Sequence, residues 1–258
     1  MVVADAINII SRLGGAFASR WVHVVVGITW IGLLYYFNFV QVPSFAEMEA
    51  SARNNAIDKL ASRALLYFRM AAGLTLLSGI AILLFQTDVK GDSQLVSGDY
   101  FKSTQGISIL TGILFGVTMF LNVWLVIWPN QKKVIANARN VQAGGQADPE
   151  AAAAGRRSAL ASRMNTIYSF PMLMFMVGTS HFFNTSGFKA VGSGGDRATY
   201  WIIAIVVWAA LEANALGLIG GFGQNVTNWM YEKQQNAFEV GILLVIGYYA
   251  LFYLVLKS

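Results

Sequence analysis

The chain has 258 residues, 56% hydrophobic and 12% charged, with a mean hydropathy of +0.54. A soluble domain is about 45–50% apolar and about 25% charged, so this composition excludes an ordinary soluble protein and points to a membrane one. The formal charge of +5 does not indicate nucleic acid, because the Lys and Arg residues sit in short loops between apolar runs, where membrane topology accounts for them.

Residues 1–19 lack a basic start followed by a sustained apolar region and so do not read as a signal peptide. Val2, Val3, Ile7, Ile10 and Leu13 instead predict a short interfacial helix. Six segments then reach the roughly 20 residues needed to cross about 30 Å of hydrocarbon. They are 21–42, 64–85, 107–128, 166–183, 200–221 and 238–256. The expectation is an all-α, polytopic bundle of about six transmembrane helices, with residues 1–258 forming a single membrane domain in a lipid bilayer.

Residues 129–165 read as a cytoplasmic linker between the third and fourth helices, with AGGQADPEAAAAG (Ala143 to Gly155) as a flexible centre flanked by helix extensions. Loops on the linker side, with Lys233, collect ten basic residues against seven on the other, which places both termini outside the cytoplasm. Trp21, Trp124, Trp128, Trp201 and Tyr200 fall near helix ends as interfacial aromatics. Gly112-x-x-x-Gly116 and Gly217-x-x-x-Gly221 are small-residue pairs suited to helix packing within the chain.

The absence of cysteine removes disulfides, iron–sulfur clusters, thiolate metal sites, cysteine nucleophiles and covalent haem attachment. Any redox chemistry needs a non-covalent cofactor. The two histidines, His23 and His181, lie near the outer ends of the first and fourth segments, each within roughly 3–5 Å of its helix end. They share one membrane layer. Gly27, four residues after His23, and Gly178, three before His181, leave room for a flat macrocycle, with Trp30 and Met174 further along the same faces. This pattern suits a bis-histidine haem b held between two helices, with Arg20 and Arg197 as propionate partners. The bland alternative is two hydrogen-bonded interfacial histidines and ordinary packing glycines. A non-haem iron site lacks the carboxylate of a facial triad.

A second polar set lies in the cytoplasmic half: Arg69, Glu212, Asn214 and Glu239. Arg69 is expected to pair with Glu212 or Glu239. Glu212 reads equally as a proton relay, a substrate contact or a structural ion-pair partner. Asn38 and Asn122 are expected to hydrogen-bond between helices. Met172, Met174 and Met176 alternate and form no single face, which argues against a copper pathway.

The segment HVVVGITWIG, His23 to Gly32, carries an H-x6-W-x-G pattern. It resembles a superfamily that includes copper-resistance D membrane proteins, membrane-bound protoporphyrinogen oxidases and the membrane domain of bacterial urate hydroxylases. NVWLVIWPNQKKVIANA (Asn122 to Ala138) and RSALASRMNTIYSFPMLMFMVGTSHF (Arg157 to Phe182) are similar to the urate hydroxylase family in particular, with Asn165, Tyr168, Pro171 and His181 in the same order. The similarity covers about residues 15 to 185. It implies an oxidoreductase of the bacterial inner membrane that hydroxylates urate and passes electrons to a cytochrome c. It marks Trp30, Asn130, Gln131, Asn165, Tyr168 and His181, with His23, as a site region without assigned catalytic roles; Glu212 joins it from the residue reading. Family members carry further helices and a cytochrome c domain. Without a cysteine to hold a haem c, electrons here are expected to leave through a separate cytochrome c or another subunit. The competing expectations are a non-catalytic haem-bearing subunit that anchors or wires a larger respiratory complex, and a haem-free structural subunit or transporter.

Overall fold

The computed structural model describes residues 8–88, 90–184 and 189–257. Six long helices run up and down: α1 (Arg12–Glu47), α2 (Ala50–Phe85), α3 (Thr104–Gln142), α4 (Pro149–His181), α5 (Gly194–Ala215) and α6 (Gln234–Leu256). Among the described residues the only β pairing is two isolated bridges, so the all-α expectation holds.

Local chemistry sets the helix limits. Ser11 accepts from the Gly14 amide at the start of α1, Ser103 from Gly106 at the start of α3, and Asp148 from Glu150 ahead of Pro149 at the start of α4. Ser193 and Asp196 form a reciprocal capping box on α5. The first helix therefore begins at Arg12 and not at Trp21, because Arg12 is tied down: it donates to the carbonyls of Phe85 at 3.2 Å and Gly91 at 3.3 Å. Of the interfacial segment expected at the N-terminus, Val2, Val3 and Ile7 lie outside the described residues, and Leu13 belongs to α1.

Two further expectations are corrected. α5 stops at Ala215 and not at residue 221, because Gly217, Gly220 and Gly221 adopt φ of +75°, +77° and +66°. Gly217 and Gly221 are thus turn residues and not a helix-packing pair. The linker is mostly helical, with α3 reaching Gln142 and α4 starting at Pro149. The alanines after Pro149 are strong helix formers, and Ala151 and Ala154 are buried.

α4 is the axis of the bundle. It packs against α3, α5, α6 and α1, and its buried positions run from Ala151 to Thr179. The other five helices are long and apolar enough to cross a membrane, and side chains such as Leu77, Ile202, Leu243 and Leu254 are more than 60% exposed on the outside, where lipid would cover them. α4 is more polar because protein surrounds it, and its polar side chains find partners there. Gly112 and Gly116 on α3 do serve close packing, facing Met176 of α4. Tyr200 is not interfacial: it is fully buried and shares a hydrogen bond of 2.7 Å with Thr111.

Three stretches of π-helix interrupt the long helices: Tyr36–Gln41, Ile57–Ala61 and Asn122–Ile127. Each carries a buried polar side chain, respectively Asn38, Asp58 and Asn122. Such bulges often mark functional positions.

Candidate functional site

α3, α4 and α5 bring four buried polar side chains together toward the linker end of the bundle: Asn122, Asn165, Tyr168 and Glu212. Asn122 donates from Nδ2 to Asn165 Oδ1 at 3.0 Å and reaches Glu212 Oε2 at 3.4 Å. Asn165 donates onward to the Met119 carbonyl at 3.0 Å. The Tyr168 hydroxyl lies beside Glu212 and donates to the Trp208 carbonyl at 3.1 Å. The Phe115 ring packs 5.1 Å from that of Tyr168, centre to centre, and closes the cluster toward the core. Asn38 does bridge helices, donating to Ser162 Oγ at 2.9 Å.

The expected pairing of Arg69 with Glu212 or Glu239 does not form. Arg69 instead stacks on Trp128, its guanidinium carbon 3.8 Å from the ring centre, and Glu239 accepts from Gln235 at 2.8 Å on the exposed face of α6. The reason is position. Arg69 sits at the linker end of α2 beside the tryptophans of α3, whereas Glu212 faces the amides of α3 and α4. Among the described residues no ion pair engages Glu212. Glu212 is thus held by the Asn122 amide and not by an ion pair.

Of the remaining residues in the expected region, Asn130 donates to the Val126 carbonyl of its own helix at 2.8 Å and Gln131 to Ser158 at 2.8 Å. Both lie on the extension of α3 beyond the cluster. Trp30 is buried in the core with its indole N–H unpartnered. Arg163 is buried on α4 with Nη1 unpartnered; its spacing of seven residues from Arg156 puts both on one helix face.

His23 lies at the opposite end, in the seam between α1 and α2. Its Nδ1 is 2.9 Å from the Thr75 carbonyl and 3.2 Å from Ser78 Oγ. A carbonyl can only accept, so Nδ1 carries the hydrogen and Nε2 keeps its lone pair. Gly27 has open space where a Cβ would stand, and Gly79 gives the ring close passage, 3.1 Å from His23 Cε1 to an added Cβ. Further along this seam a cavity of about 640 Å3 is lined by Arg12, Arg20, Phe17, Phe85 and Gln94. His181 ends α4 and is exposed. The face of Gly178 is covered by the ring of Phe183, which stacks on Phe175 at 5.6 Å. Arg197 donates to the carbonyls of Val191 at 2.8 Å and Gly192 at 2.7 Å. Among the described residues no hydrogen bond joins His23 to His181.

The two regions are well separated. His181 stands sixteen residues beyond Asn165 on one continuous helix, roughly 24 Å at the rise of an α-helix.

Residues 98–213 match the family described as urate oxidase N-terminal. Over that segment, less than half of the chain, the protein is similar to a urate-oxidase-related family. The matched segment contains Asn122, Asn165, Tyr168, His181, Arg197 and Glu212, whereas His23 and Trp30 precede it. No curated protein and no solved structure matches the chain.

Proposed function

We propose that this chain is a haem-b-binding integral membrane oxidoreductase of the urate hydroxylase kind, lying in a bacterial inner membrane with both termini periplasmic and passing electrons to a separate cytochrome c. The observation that carries the reading is that the segment similar to the urate oxidase N-terminal family holds all four members of the buried cluster on α3, α4 and α5.

In this reading Glu212 holds or moves a proton at Oε2. Asn122 and Asn165 fix the carboxyl, and Tyr168 is locked beside it by the Trp208 carbonyl. Phe115 and the surrounding core exclude water, which strengthens every polar contact inside.

What supports a haem at the His23 end is the set of the imidazole. The Thr75 carbonyl orients the imidazole through Nδ1 and leaves Nε2 as the donor to iron, the usual outer support of a metal-binding histidine. His181 would supply a second nitrogen to the iron, and Arg20 and Arg197 would meet the propionates. A macrocycle beside Gly178 requires the Phe183 ring to swing away. When bound, haem supplies one-electron redox chemistry.

The test is an absorption spectrum of the purified chain followed by urate consumption with cytochrome c added. A Soret band with urate-dependent reduction of cytochrome c supports the proposal. Absence of the band removes the haem, and haem without urate turnover favours a non-catalytic haem-bearing subunit of a larger complex.

A further inference from the structure

At the linker end, α2 and α3 flank an open cavity of about 460 Å3 lined by Arg63, Leu66, Arg69, Trp128, Lys132 and Arg139, among others. Four of these side chains are cationic, and none of the described lining residues is acidic. Arg139 is paired, donating from Nε to Asp58. Among the described residues no ion pair engages Arg63, Arg69 or Lys132.

Two of these cations converge on one indole. The Arg69 guanidinium lies 3.8 Å from the Trp128 ring centre and the Lys132 ammonium 5.7 Å from it. The Nε of Arg69 is buried without a hydrogen-bond acceptor. Arg63, Arg69 and Lys132, which have no carboxylate partner among the described residues, repel one another. A compact group with several anionic oxygens would relieve that repulsion.

Position identifies the source of that group. Arg63 and Arg69 sit at the start of the apolar run 64–85, and Trp128 closes the run 107–128, so the cavity lies where a bilayer surface would be. Beside it on α2, Leu66, Tyr67 and Met70 are exposed at 44%, 64% and 48%, forming an apolar flank for an acyl chain. We propose that this cavity binds the phosphate of an anionic phospholipid, with Arg63, Arg69 and Lys132 as its cationic contacts and the flank of α2 holding the chain.

The experiment titrates the purified full chain in detergent with phosphatidylglycerol, phosphatidylcholine or inorganic phosphate, and reads binding by native mass spectrometry and thermal unfolding. Phosphatidylglycerol is expected to bind about tenfold more tightly than phosphatidylcholine, with an advantage that shrinks as salt is added. Arg63→Gln and Lys132→Gln alter exposed side chains, so each should unfold like the parent without lipid while losing roughly fivefold in phosphatidylglycerol affinity. Equal binding of the two lipids, or an unchanged preference in both variants, overturns the proposal. Inorganic phosphate that saturates the site while phosphatidylglycerol gains nothing from its tails overturns the lipid assignment in favour of a free anion.

Discussion

Asn122 and Asn165 clasp α3 to α4 at two points: Asn122 donates to Asn165 Oδ1, and Asn165 donates back to the Met119 carbonyl three residues before Asn122, both at 3.0 Å. Asn122→Ala leaves a buried amide oxygen and the Glu212 carboxyl short of a donor. The expected cost is ~1–3 kcal/mol, read as a lower thermal midpoint in detergent. An unchanged midpoint would mean that water or a lipid group replaces the amide.

Glu212→Gln keeps the shape of the side chain and removes its proton chemistry. The thermal midpoint should stay close to that of the parent, since no ion pair is broken, while urate turnover with added cytochrome c drops by ~10²–10⁴, the range typical of general acid–base groups. Retained turnover would show that Glu212 is a structural group.

His23→Ala and His181→Ala are each expected to abolish low-spin haem bands. Gly79→Ala is a finer probe: its methyl would stand 3.1 Å from His23 Cε1, tight enough to push the imidazole, so it should shift the Soret position without removing the haem. A His181→Ala protein with an unaltered low-spin spectrum would reassign the second ligand.

Gly112→Leu tests the α3–α4 contact. The first atom of the new side chain would meet Met176 Cγ at 3.0 Å and its backbone nitrogen at 3.3 Å, and backbone cannot step aside. Overpacking of this kind costs ~1–3 kcal/mol. Gly27→Ala, with nothing within 4 Å, is the matched control for stability and should leave the midpoint nearly unchanged.

The α2–α3 loop should come loose in acid. Ser97, together with the amides of Lys90 and Asp92, donates to Asp88 and holds its carboxyl below the ordinary range. Because the folded pKa is the lower one, this contribution is complete above the unfolded value near 4 and fades as pH falls through the depressed value. Protection of the amides across residues 86–103, relative to their intrinsic exchange rates, should therefore be constant at neutral pH and fall below about pH 4, and Asp88→Asn should flatten that acid dependence.

Helix count and approximate limits were legible because a membrane imposes a length and an apolar composition that no packing detail overrides. α4 shows where that reading weakens. Its apolar half was found at 166–183, but its continuation back to Pro149 was not, because alanine-rich and glycine-rich linkers look alike until Asp148 and Pro149 are seen to start a helix. Tyr200 read as interfacial because aromatic residues at span ends usually are. Only the opposing Thr111 hydroxyl shows that it points inward.

The residues of the Glu212 cluster were each visible as polar positions in apolar runs, yet their partners were not. Arg69 was matched to a carboxylate on the principle that buried charges pair, and the fold offered it the face of Trp128 instead. Composition and periodicity thus determined that this chain is an all-helical membrane bundle with polar positions inside it, since those follow from the solvent alone. Which side chains meet, including Asn122 with Glu212 and His23 with the Thr75 carbonyl, was decided by how each helix is rotated and how far it slides against its neighbours. Those are properties of pairs of surfaces, and one strand of sequence does not carry them.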